Sequence, residues 1–200
     1  MKILINGTTL VVGGGLQVGR ALIMELVRDS RGHSVEAVVS RNLAELLPGD
    51  IRVAAVVSPS PARPVLGIKS RARLREIEKT YRPDVVLTIF GPAYWKPRAI
   101  HVCGFANAWI FTDNEHAWRV LSLGQKAVVW GRRLYRRRVL QYEDASALIV
   151  ETEALVGAIK AKWPGREVFA VPNTCGQAFF ERDRKTDGHG ELLPFKEERE

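Results

Sequence analysis

The sequence has few cysteines and no long apolar run, and these two absences exclude several classes of protein. Cys103 and Cys175 are far apart and lack the spacing of a metal or redox motif. They exclude a disulfide scaffold and favour a reducing compartment in which both thiols are structural. No apolar stretch approaches the roughly 18 residues that a membrane-spanning helix needs, and residues 1–6 begin a strand rather than a leader peptide. We therefore expect a cytoplasmic protein.

Several nucleotide-binding and catalytic motifs are also missing. The chain has no G-x-G-x-x-G dinucleotide fingerprint, because Val18 takes the place of the third glycine. It has no Gly-Lys-Ser/Thr sequence after its glycines, which excludes a phosphate loop of the NTPase kind. It also lacks the Tyr-x-x-x-Lys pair that would run the chemistry of a reductase.

Acidic residues are absent from residues 116–142, although the chain as a whole has the composition of an ordinary globular protein. Its 200 residues are 46% hydrophobic and 26% charged, with a formal net charge of +8. Residues 116–142 contain seven of the 30 basic residues, so the rest of the chain has 23 basic residues against 22 acidic ones. We interpret the chain as a near-neutral protein with one strongly basic segment.

Apolar runs alternate with helical patterns along the chain. Because the runs are nearly continuous rather than alternating, they indicate strands buried on both faces of a parallel sheet. The order predicts an α/β fold, a doubly wound parallel sheet of the Rossmann-like type. We predict strands at 1–6, 34–40, 51–57, 85–90, 100–111, 147–150 and 167–171, and helices at 16–28, 70–81, 115–142 and 153–163.

A glycine-rich turn, Gly13-Gly14-Gly15, separates the first strand from its helix. Glycines allow backbone amides to approach an anion closely, and the helix amino terminus adds about half a unit of positive charge. Diphosphate binding is the natural use of such a turn, and a turn that only packs the strand against the helix is the alternative. Ser40-Arg41 ends the second strand where an NAD site would have an acidic residue, so an NADP-dependent reductase remains a second hypothesis.

Several local sequences, taken in order, resemble one enzyme family. They are Gly13-Gly14-Gly15, Arg31-Gly32-His33-Ser34-Val35, Arg82-Pro83-Asp84-Val85-Val86, the segment ASALIVET at 145–152, and Val171-Pro172-Asn173. Together they resemble the amino-terminal domain of GT-B glycosyltransferases, and more narrowly family four of the retaining, nucleotide-sugar-dependent enzymes (the glycosyl transferases group 1 type). The resemblance covers about residues 1–180.

The resemblance implies a two-domain enzyme of which residues 1–180 form the acceptor-binding, Rossmann-like half. Residues 181–200, of which twelve are charged, are then a linker or the start of a nucleotide-sugar-binding domain. The resemblance assigns Gly14 and Gly15 to the donor diphosphate and Asn173 to the cleft or hinge. It implies no resident cofactor and no metal, the nucleotide sugar being a co-substrate, and the chain has no Asp-x-Asp pair.

Other candidate site residues lie toward the carboxyl end of the predicted fifth strand or directly after it. Many members of the family carry a histidine there, which makes His116 and Asp113 candidate catalytic residues, with Asn114 as an alternative and helix capping as a competing role for Asp113. Asn107 and Trp109 lie where open α/β sheets bind ligands, and we predict that they contact the acceptor. His101, in an apolar run, is expected to be a partly buried histidine with its hydrogen bonds satisfied.

The basic segment is predicted to be an amphipathic helix. At 100° per residue, four arginines fall in one arc and much of the opposite face is apolar; these arginines are Arg132, Arg133, Arg136 and Arg137. A solvated charged face is the simplest interpretation. An anionic membrane surface is a second, since each basic residue near the headgroups contributes about 1 kcal/mol. Nucleic acid is disfavoured because no groove-reading module is recognisable, although a non-enzymatic module that binds either anion remains the third hypothesis.

Overall fold

A computed structural model describes residues 1–106, 119–139 and 141–172, with the side chains of residues 132–139, 141 and 143 left out of the description. Seven strands and five α-helices are present in these ranges. The strands are β1 (Lys2–Gly7), β2 (Ser34–Val39), β3 (Val53–Val56), β4 (Val85–Thr88), β5 (Ile100–Gly104), β6 (Ala147–Val150) and β7 (Glu167–Ala170). The helices are α1 (Gly14–Arg28), α2 (Arg41–Ala44), α3 (Ile68–Tyr81), α4 (Leu123–Val139) and α5 (Glu153–Lys162), with a 3-10 turn at Gln141–Asp144.

All seven strands form one parallel sheet in the order β3-β2-β1-β4-β5-β6-β7. This confirms the predicted α/β class and the doubly wound Rossmann-like arrangement. The order reverses at β1, because β2 and β3 lie on one side of it and β4 to β7 on the other. The position between β1 and β4 is therefore the topological switch point of the sheet.

The two faces of the sheet bury separate apolar clusters because successive strand residues point to opposite faces. On one face, Ile5 and Val39 pack with residues of α1 and α2 such as Ile23 and Leu43. On the other, Leu4 and Val86 pack with Leu74 of α3 and with Trp95. A third cluster joins β5 to β7 with Tyr142 and Ile159. The continuous apolar runs of the sequence are thus explained by helices and loops that cover both sides.

Helix starts differ in how their first amides are satisfied. Ser40 and Thr152 cap α2 and α5, where their hydroxyls accept hydrogen bonds from the amides of Leu43 and Leu155. Helix α1 has no side-chain cap: it begins after Gly13, whose φ of 70° suits glycine. None of the described helices is long and apolar enough to cross a membrane.

The ends of β4 and β5 meet so closely that only glycine fits at the end of β5. A Cβ on Gly104 would overlap the backbone carbonyl of Ile89, which cannot swing aside as a side chain can. We predict that Gly104→Ala lowers the free energy of unfolding by about 3 kcal/mol, the upper range for overpacking. Gly157→Ala is the control, because this helix position has open space around it and alanine favours helix by about 1 kcal/mol. Urea unfolding measures both, and a Gly104→Ala protein as stable as wild type would contradict the prediction.

Candidate functional site at the switch point

The loops that follow β1 and β4 form the two walls of the candidate site. Both loops leave the carboxyl edge of the sheet, and β1 and β4 are the adjacent strands at which the order reverses. Open α/β sheets bind ligands in the crevice at this point. The residues of the two loops therefore decide what the crevice can hold.

The β1 loop is held against the start of α2. The hydroxyl of Ser40 donates to the carbonyl of Leu10 while it also caps α2. The amide Nδ2 of Asn42 donates to the carbonyl of Val11 at 2.8 Å. These bonds place Leu10 and Val11 against the end of β2, where a dinucleotide site would hold its ribose.

The amino terminus of α1 presents backbone amides to the crevice. No described residue accepts a hydrogen bond from the amide of Gly14 or Gly15, no side chain caps the helix, and its first turn has no acidic residue. Open space surrounds the position of a Cβ on Gly14, whereas a Cβ on Gly15 would lie 3.5 Å from the Leu10 side chain and 3.8 Å from the Phe90 ring. The partial positive charge of the helix end is thus unopposed by any side chain of its first turn.

Gly19, the fourth glycine of this region, serves packing rather than binding. It is buried one turn into α1, where a Cβ would overlap the side chain of Leu10. The glycine pattern of the sequence therefore combines two roles. Gly14 and Gly15 keep the helix end accessible, and Gly19 lets the β1 loop lie close against α1.

The β4 loop forms the opposite wall and is fixed from several sides. Thr9 Oγ1 donates to the Phe90 carbonyl at 3.0 Å, which ties the two walls together. The amide of Gly91 donates to the carbonyl of Gly104 at 2.7 Å, and the hydroxyl of Tyr142 donates to the carbonyl of Gly91 at 2.6 Å. This wall is thus braced by β1, β5 and the 3-10 turn before β6.

Glu78 anchors the far end of the same loop. Its buried carboxylate, on α3, accepts a hydrogen bond from Trp95 Nε1 at 2.9 Å through Oε2. Its Oε1 accepts hydrogen bonds from the amides of Arg98 and Ala99. One side chain therefore satisfies three donors of the segment between β4 and β5.

A row of buried polar side chains runs from the carboxyl ends of β1 and β4 to the second residue of β5. Asn6 Oδ1 accepts from the hydroxyl and the amide of Thr8 at 2.7 and 3.2 Å. Asn6 Nδ2 donates to Thr88 Oγ1 at 3.3 Å, and Thr88 Oγ1 lies 3.0 Å from Nε2 of His101. The row lies beneath the crevice and fixes the start of the β1 loop from below.

His101 is the inner end of this row. It is buried more completely than expected, and its Nδ1 has no hydrogen-bond partner among the described residues. Burial lowers the pKa of His101 to about 4, although the negative charges of Asp144 and Glu78 oppose that change. The imidazole is therefore neutral at pH 7.

Of the residues predicted from the sequence, only Gly14 and Gly15 are placed at the crevice. The candidate catalytic residues Asp113 and His116, the acceptor residues Asn107 and Trp109, and the hinge residue Asn173 lie outside the described residues, as does the segment 181–200. Backbone positions 132, 133, 136 and 137 belong to α4, but the side chains of Arg132, Arg133, Arg136 and Arg137 lie outside the description.

Sequence reasoning missed Asn6, Thr88 and Glu78. Asn6 and Thr88 had a usable signal, since each is a polar residue at the end of an otherwise apolar strand. Glu78 had none, because its partners follow 17 to 21 residues later in a segment without regular structure.

Cys103 and the acidic residues offer no further chemistry here. Cys103 is a free, buried thiol whose pKa burial raises to about 12, so it stays protonated and unreactive, as expected of a structural thiol. Within the described ranges, no three His, Cys, Asp or Glu side chains come together as a metal site requires.

Comparison with known proteins yields no assignment. Neither a scan against protein-family models nor a search of curated proteins finds a match to this chain.

The low pKa of His101 makes stability depend on pH. The unfolded chain takes up the proton near the ordinary value of 6.5 and the folded chain only near 4, so stability is full above about pH 6.5 and falls as the pH drops toward 4. The loss amounts to about 3 kcal/mol. We predict that His101→Gln flattens this part of the dependence, measured by urea unfolding at several pH values between 4.5 and 7.5. A variant with the slope of wild type would contradict the role assigned to His101.

Proposed function

We propose that this chain is the acceptor-binding, amino-terminal domain of a retaining GT-B glycosyltransferase that uses a nucleotide-sugar donor. The observation that carries the proposal is the glycine turn at the switch point, where α1 presents the open amides of Gly14 and Gly15. The resemblance of the ordered local sequences to family four adds the reaction class.

The site chemistry of this proposal is electrostatic. When sugar transfers from a nucleotide diphosphate, negative charge develops on the leaving phosphate. The amides of Gly14 and Gly15 and the dipole of α1 would stabilise that charge from this domain. The nucleotide itself would bind to a second Rossmann-like domain, so we expect no sugar transfer by residues 1–200 alone.

The described geometry favours this proposal over an NADP-dependent reductase. Leu10 and Val11 are hydrogen-bonded to Ser40 and Asn42, so the β1 loop occupies the space at the end of β2. In a dinucleotide-binding fold the adenosine ribose occupies that space. Arg41 is exposed at the start of α2. It belongs to the helix to which the β1 loop is hydrogen-bonded. Titration with NADPH tests the alternative, and tight binding would favour the reductase.

We also propose the cytoplasmic face of an anionic membrane as the place of action, with a saccharide or lipid-linked acceptor. Helix α4 supports this partner. Leu123 is 85% exposed and Trp130 62% exposed, and no acidic residue occurs between residues 116 and 142. An amphipathic helix with exposed apolar residues and only basic charges suits an interface of anionic lipid.

A carboxylate introduced at the start of α1 is expected to change anion binding and stability in opposite directions. We predict that Gly14→Glu raises the free energy of unfolding by about 0.3–1 kcal/mol, because a negative charge favours the helix amino terminus. The same variant loses at least about tenfold in affinity for pyrophosphate, because the carboxylate occupies the positive helix end. Amide chemical shifts of Gly14 and Gly15 during a pyrophosphate titration give the affinity.

Gly49→Glu is the matched control for this test. Gly49 is exposed, with open space around it, and lies in the turn before β3. This variant should bind pyrophosphate like wild type. A wild-type chain whose Gly14 and Gly15 amides do not respond to pyrophosphate would overturn the diphosphate site.

Charge reversal on α4 tests the membrane partner. We predict that replacing its four arginines by Glu abolishes flotation with vesicles that contain phosphatidylglycerol, since each cation near the headgroups contributes about 1 kcal/mol. A control of equal net charge reverses exposed cations elsewhere and should still float. The replaced residues are Arg132, Arg133, Arg136 and Arg137 in the test and Arg28, Arg52, Lys79 and Lys160 in the control. Unchanged flotation of the α4 variant would contradict this role.

A further inference from the structure

The turn between β3 and α3 exposes a group of apolar side chains, here called the α3 tip: Val65, Leu66 and Ile68. They are 73%, 58% and 58% exposed, respectively. Aliphatic side chains that are scattered singly over a surface need no explanation, but a group this close together marks an interaction surface. The tip follows β3, so it lies at the carboxyl edge of the sheet, the edge that also carries the crevice.

The backbone behind the α3 tip is hydrogen-bonded within the protein. Arg71 donates from Nε to the Pro61 carbonyl at 3.0 Å, and from Nη2 to the carbonyls of Arg63 and Pro64 at 2.8 and 3.1 Å. Ser70 Oγ donates to the Pro59 carbonyl at 2.6 Å. Two side chains of α3 thus satisfy four carbonyls of the turn.

Two amides of the turn are paired as well, and the chain is tightly folded there. Gly67 donates to the Arg63 carbonyl at 3.0 Å and Ile68 to the Val65 carbonyl at 3.2 Å. A Cβ on Gly67 would overlap the carbonyls of Arg63 and Pro61. The turn therefore has a fixed shape, and its tip side chains point outward.

The arrangement of this turn suits an apolar environment better than water. Lipid offers no hydrogen-bond partner, so an unpaired backbone group that enters it costs several kcal/mol. An ordinary exposed loop would bring such groups with it. The α3 tip brings three aliphatic side chains on a turn in which the carbonyls of Pro59, Pro61, Arg63, Pro64 and Val65 already accept hydrogen bonds.

The sequence on either side of the tip carries charge of one sign. Residues 51–75 contain six basic residues and no acidic one: Arg52, Arg63, Lys69, Arg71, Arg73 and Arg75. The near balance of charge outside residues 116–142 conceals this second basic segment, which sequence analysis missed. Arg71 is committed to the turn, whereas Arg63, Lys69, Arg73 and Arg75 are all exposed. Residues 51–80 contain no aromatic side chain on which a nucleic-acid base would stack.

We propose that the α3 tip inserts into the surface of an anionic lipid bilayer, with Lys69 and Arg73 at the level of the headgroups. Aliphatic side chains enter the boundary of the acyl chains while cations pair with lipid phosphates. The inference rests on the proposed function only in its choice of the membrane as partner. Bound in this way, the carboxyl edge and its crevice face the bilayer, so an acceptor held in the lipid approaches the site directly.

Flotation of the whole chain with vesicles tests the tip. Vesicles of phosphatidylcholine with and without phosphatidylglycerol are compared for wild type and for the double variant Leu66→Ser, Ile68→Ser. We expect wild type to float with the anionic vesicles and the double variant to lose at least about tenfold in partition coefficient, since each buried aliphatic side chain contributes more than about 1.4 kcal/mol. Lys69→Glu with Arg73→Glu should lower the partition coefficient by a similar factor.

Ile100→Ser is the matched control. Ile100 is 59% exposed, close to the 58% of Ile68, but it begins β5 and so lies at the opposite edge of the sheet. The control should float like wild type, and thermal unfolding should show that every variant stays folded. The proposal is overturned if the double serine variant floats like wild type, if Ile100→Ser loses as much, or if wild type does not float. Flotation that depends on the α4 arginines but not on the tip would leave the membrane partner standing without this site, and the pyrophosphate titration reports on the diphosphate site separately.

Discussion

Parallel strands have to be covered on both faces, because the crossovers that join them place helices there. In this chain the interior strand β1 meets that requirement, with Leu4 and Ile5 pointing into opposite apolar clusters. Polar groups on such a strand must then find partners inside the protein. Asn6 does so through Thr8 and Thr88, and this bonding sets where the β1 loop begins.

The crevice is built from backbone as much as from side chains. One wall presents amides of α1, and the other is the segment after β4, which Thr9, Tyr142 and Glu78 hold at three points. A site with rigid walls loses little conformational entropy when a ligand binds. Such preorganisation suits the electrostatic stabilisation of a diphosphate, where the positions of donors matter more than their number.

The sequence was sufficient for the fold class, for a strand in each of the seven predicted segments and for α1, since continuous apolar runs and one glycine turn are local signals. The fifth strand, predicted to reach residue 111, ends at Gly104. It was insufficient for α2, a single turn whose cap, Ser40, is recognisable only beside Leu10. The predicted third strand was too long because Ile51 closes a turn with Pro48. Glu78 is a similar case, since a charged residue on a polar helix becomes an anchor only through tertiary contacts. The acceptor residues, assigned from their place at the end of a strand, and the catalytic residues, assigned by resemblance, stay predictions.

Arg71 holds the turn before α3 by hydrogen bonds, so the shape of the turn does not depend on which side chains point outward. Because the guanidinium and Ser70 hold the carbonyls, Val65, Leu66 and Ile68 contribute little to folding. Substitutions at these three positions are therefore nearly neutral for stability. Natural variation can accordingly change the partner that this edge of the protein contacts by single substitutions, none of which unfolds the protein.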